Sequence, residues 1–121
     1  MADNRPAFRV IPYEEWKETL DSIIEVQERN IQLFMEKLSI VEKEHPKPLV
    51  PYVKQHIMDK LVKEYTSYVE NLLMRESAEI NKDKYVYAIT ESGLPMLLNK
   101  KTYEMSVKYF QKEGNVKDLY F

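Results

Sequence analysis

A chain of 121 residues that is 44% hydrophobic and 31% charged is long and apolar enough to fold around a core, which excludes a disordered tail or a staple-dependent miniprotein. It has no cysteine, which excludes disulfides, thiolate metal sites and cysteine nucleophiles, and its two glycines are too few for phosphate-cradling loops or a turn-rich β fold. The net charge of −2 is unevenly spread, with nine acidic and four basic side chains over residues 13–44 against five and seven over residues 82–121, and neither imbalance marks a nucleic-acid or membrane surface.

Met1 to Arg5 reads as a frayed terminus. Met1 to Pro12 lacks the apolar run of a signal peptide, and nowhere does the chain reach the roughly 18 consecutive apolar residues of a membrane span. A cytoplasmic protein is expected (host cytoplasm if the source is viral). Ala7 to Ile11, apolar and bounded by Pro6 and Pro12, suits an edge strand.

A long helix over residues 12–44 follows. Pro12 suits its first position, and Glu14 and Glu15 suit the positive end of its dipole. Leu20, Ile24, Gln27, Ile31, Phe34, Leu38 and Val41 recur in steps of four and three, the seam of a helix packed along another helix. Gln27 interrupts that seam; it is expected near the bundle edge, reaching solvent, with register setting as the other role open to it. His45-Pro46-Lys47-Pro48 ends the helix, because a residue before proline is driven out of the α region.

A second helix over residues 51–81 opens at Pro51. Its apolar positions include Val53, Ile57, Met58, Leu61, Val62, Tyr65, Tyr68, Val69, Leu72 and Leu73, a wider band than one partner helix needs. The short connection folds the pair into an antiparallel hairpin, and the surplus width is where the C-terminal third is expected to dock. Lys84 to Thr90 is rich in β-branched and aromatic residues, and Glu91-Ser92-Gly93 turns it into a second strand, Leu94 to Leu98. A helix beginning near Gly93 is the rival reading, since Leu94, Leu98, Met105 and Tyr109 also share a helical face. Asn99 then caps a short helix to about Glu113. The terminal Leu119-Tyr120-Phe121 is expected to dock on the fold. The fold class is mainly α: a long antiparallel helical hairpin with a small β-hairpin and a short third helix packed on it, in one domain over residues 1–121. No repeat or linker divides it.

Chemistry is weakly indicated. There is no Gly-x-Ser-x-Gly elbow, P-loop or dinucleotide fingerprint, so no enzyme activity and no cofactor are expected. Glu42 and His45 have the Glu-x-x-His spacing of di-iron bundles, but His56, the other histidine, has Val53 three residues before it, so no metal site is expected.

The informative feature is a second apolar row on the first helix, Val26, Leu33 and Ile40, spaced seven apart on the side away from the seam. A solvated helix needs one apolar stripe, so this one must be covered by the chain's own C-terminal helix, by the strand at Phe8 and Val10, or by another molecule. The expected function is a non-catalytic protein–protein interaction module, an adaptor, assembly factor or inhibitor of the kind a virus carries. It would use Val26, Leu33 and Ile40 with Arg29 and Glu36 beside them, on another protein or on itself as a homodimer. One alternative is a nucleic-acid-associated protein using Lys100, Lys101, Lys108 and Lys112 with the tyrosines nearby. Another is a virion or filament component that stacks through the same row.

Overall fold

The computed structural model describes residues 8–112, and side chains over residues 8–108. The readings placed on Met1 to Arg5 and on Leu119-Tyr120-Phe121 lie outside the described residues. In chain order the elements are β1 (Phe8–Val10), α1 (Tyr13–Glu44), α2 (Val50–Ile80), β2 (Tyr85–Thr90), β3 (Pro95–Asn99) and α3 (Lys100–Lys112). The protein is therefore mainly α, with two helices of about thirty residues, a small antiparallel sheet and a short third helix. The described residues fall into two compact units, residues 8–20 with 74–112, and Asp21–Leu73.

In the first unit the sheet has the order β1-β2-β3, both pairs antiparallel, with Val10 opposite Ala88 and Val86 opposite Leu98. The strand reading of Leu94–Leu98 therefore holds over the helical one, shifted by one residue. Gly93 makes the reversal possible. Its φ of 85° lies in the left-handed region that side chains disfavour, and its N–H reaches the Thr90 carbonyl at 2.9 Å. The Thr90 hydroxyl oxygen accepts a further bond from Leu94 N–H at 3.0 Å, which closes the turn. Asn99 caps α3 as its side chain suits it to do, its Oδ1 accepting from Thr102 N–H at 3.1 Å.

The core of this unit is aromatic. Trp16 is fully buried in the second turn of α1, and its indole N–H donates to the Met96 carbonyl at 3.0 Å, tying the helix to β3. The Tyr87 ring meets those of Trp16 and Tyr13 with centroids 4.9 Å apart in each case, at tilted and edge-on angles that suit ring quadrupoles. Leu20, Ile11, Ala78 and Ala88 complete the buried set. The Tyr87 hydroxyl donates to the Lys82 carbonyl at 2.7 Å, while the Lys82 ammonium lies 4.4 Å over the Tyr13 ring.

Two outcomes are expected here. Trp16→Ala removes the largest buried side chain and its cross-link to β3, and should lower stability by about 3–5 kcal/mol in urea titration. Burial holds the Tyr87 phenol above the ordinary tyrosine value, with Tyr13, Asp83 and Tyr85 adding to the rise. The neutral phenol is the favoured form, so this stabilisation is complete below pH about 10 and is lost as pH climbs through the folded value. Tyr87→Phe should therefore be less stable near neutrality, by about 1 kcal/mol for the lost hydrogen bond, yet lose less on raising the pH above about 10.

Candidate protein-docking faces of the helical hairpin

Within Asp21–Leu73 the two helices run antiparallel, as their cross-links show. Gln27 bonds to Ser67 and Asn71, Glu28 to Tyr68, and Glu42 to Lys54, so that rising numbers on α1 meet falling numbers on α2. The seam follows the four-three spacing. Ile24 and Val41 are buried, and Ile31, Phe34 and Leu38 are half-buried between them.

Gln27 departs from its expected place near solvent. It is 7% exposed, its amide N–H donates to the Ser67 hydroxyl at 2.9 Å, and its carbonyl accepts from the Asn71 amide at 2.9 Å. The reason is register. Gln27 stands one seam step past Ile24, where the helices are in contact, and α2 presents two short polar side chains at that level. Both ends of the amide are then satisfied, which removes the usual penalty for burying it. Gln27→Ala would forfeit both bonds and leave a gap, and should cost about 1–3 kcal/mol in chemical denaturation.

The Val26, Leu33 and Ile40 row lies outside this contact. At about 100° of rotation per residue the row stands roughly 130° from the seam. Its members are 48%, 52% and 37% exposed. Arg29 and Glu36 are exposed and sit on one flank of the row, a further 50° or so round the helix. The Arg29 guanidinium is 3.9 Å from Glu25, one turn back, a loose solvent-exposed pair that leaves it available to other carboxylates. The residues expected to form a contact surface are thus together on one helix face and open.

A second apolar set, part of the wide band on α2, is also open. Met58, Val62, Tyr65 and Leu73 form an exposed stripe along α2, and Met35 of α1 is exposed as well. Rotation about each helix places the α2 stripe on the hairpin face that carries Lys54 and Glu42, opposite the Val26 row. The surplus apolar width of α2, expected to receive the C-terminal third, is open at these four positions. Among the described residues α3 packs on β2 and β3.

Of the lysines considered for nucleic acid, Lys100, Lys101 and Lys108 are exposed on α3, whereas the Lys112 side chain lies beyond those described. Lys100 and Lys101 share their end of the helix with Asp83 and Glu104, which line the same shallow depression. Glu42, half of the Glu-x-x-His pair, is held by Lys54 at 3.0 Å. Among the described residues no three acidic or histidine side chains gather as a metal-binding group, and no helix is long and apolar enough to cross a membrane. Comparison with family models, curated proteins and solved structures returned no match.

Proposed function

We propose that this chain is a non-catalytic protein–protein interaction module, an adaptor, assembly factor or inhibitor, that docks through the α1 face bearing Val26, Leu33 and Ile40. The observation that carries this is the exposure of all three, 48%, 52% and 37%, on a helix whose other apolar face already packs against α2. Apolar side chains in a row at seven-residue intervals offer the knobs that another helix receives. Full burial of a side chain of this size is worth roughly 1.5–3 kcal/mol, so completing the burial of three half-exposed ones supplies about 2–4 kcal/mol before association costs. Arg29 and Glu36 beside the row add charge selectivity more than affinity.

The test is affinity capture with the wild-type chain and with Leu33→Glu. Leu33 is exposed, so the substitution should leave stability within about 0.5 kcal/mol and the circular dichroism spectrum unchanged. The protein bound by the wild type should be lost, and binding by the wild type should fall only modestly with added salt. Retention of the same protein by Leu33→Glu would refute the reading. A steep fall with salt, together with recovered nucleic acid, would transfer it to the α3 lysines.

A further inference from the structure

Charges beside the docking row follow an order that selects one kind of occupant. Glu25, Arg29, Glu36 and Lys43 are exposed on the same flank of α1, alternating acid, base, acid, base along its length. We propose that the row docks on the same row of a second copy of this chain, with the two α1 helices antiparallel about a two-fold axis beside Leu33. This inference rests on the docking role proposed above and names its partner.

A two-fold axis perpendicular to both helices brings like flank to like flank while reversing direction. An alternating series read backwards presents base to acid at every step. With the axis at Leu33, Val26 of one copy meets Ile40 of the other and the two Leu33 side chains pack beside each other. Arg29 then stands within one residue of Glu36 of the second copy, and Glu25 within two of Lys43, so each pair occurs twice. One or two residues of helix amount to about 1.5–3 Å along the axis, which these long side chains span. In a parallel pair each flank meets the partner's opposite flank instead, so neither the Arg29–Glu36 nor the Glu25–Lys43 pair would form. The charge order therefore favours the antiparallel homodimer.

The contact is modest in extent. A single helix face of this length offers a few hundred Å² per copy, short of the roughly 800 Å² of a standard interface, so the dimer is a weak one in which flank charges count.

Sedimentation at low salt, from micromolar to near-millimolar concentration, tests the pairing. The wild type should pass from monomer to dimer. Arg29→Glu should self-associate roughly tenfold more weakly, because two attractive contacts become repulsive, and so should Glu36→Arg. Mixing the two variants should restore a one-to-one heterodimer, since every Arg29–Glu36 contact is then again of opposite sign. The double variant carrying both changes should dimerise as the wild type does. Because all four positions are exposed, folding is checked by circular dichroism, and rescue on mixing shows that neither variant is merely misfolded. A wild type that stays monomeric throughout would overturn the homodimer, as would a dimer indifferent to both reversals or a mixture that fails to associate. The capture experiment with Leu33→Glu decides the broader docking reading separately, whatever the oligomeric state.

Discussion

A pair of long helices joined by a short turn can bury only the strip each turns toward the other. In Asp21–Leu73 that strip is the line from Ile24 to Val41, and its four-three spacing sets which residues of α1 face α2. The same arithmetic decides what is left outside. An apolar residue two positions past a seam residue cannot be brought into the seam by rotating the helix without expelling Ile24 or Val41. Val26, Leu33 and Ile40 occupy that forbidden phase, so their exposure follows from the seam itself.

Polar groups keep this arrangement specific. A seam made only of aliphatic side chains tolerates sliding by a heptad, because one apolar layer resembles the next. Gln27 differs from its neighbours, and it is satisfied only where Ser67 and Asn71 lie across from it. Sliding the helices would bury an amide with no partner, a cost of order 1–3 kcal/mol against a handful of equivalent apolar contacts. The links from Glu28 to Tyr68 and from Glu42 to Lys54 agree with that register but lie in solvent, where they contribute little.

In the unit formed by residues 8–20 and 74–112 the organising contact is different. Trp16 stands where the start of α1 meets the sheet, and its indole N–H finds a carbonyl eighty residues later in the chain. A ring that large must be enclosed on several sides, and the rings of Tyr13 and Tyr87 lie against it, 6.1 and 4.9 Å between centroids. Of the strand side chains, Tyr87 and Ala88 are the ones buried in this unit.

Much of the fold was legible because it depends on signals a few residues long. Proline pairs ended α1, Asn99 capped α3, Gly93 allowed the hairpin to turn, and periodicity separated seam from back on α1. Those are local constraints on backbone torsion and on one helix's own surface, so a linear chain displays them. The candidate face was legible for the same reason, since three residues seven apart share a side of any helix. What the chain could not display was coverage. Whether Gln27 reaches water depends on which residues of α2 arrive opposite it. That is settled by contacts between residues forty or more positions apart, and only the tertiary structure reports which of them prevailed.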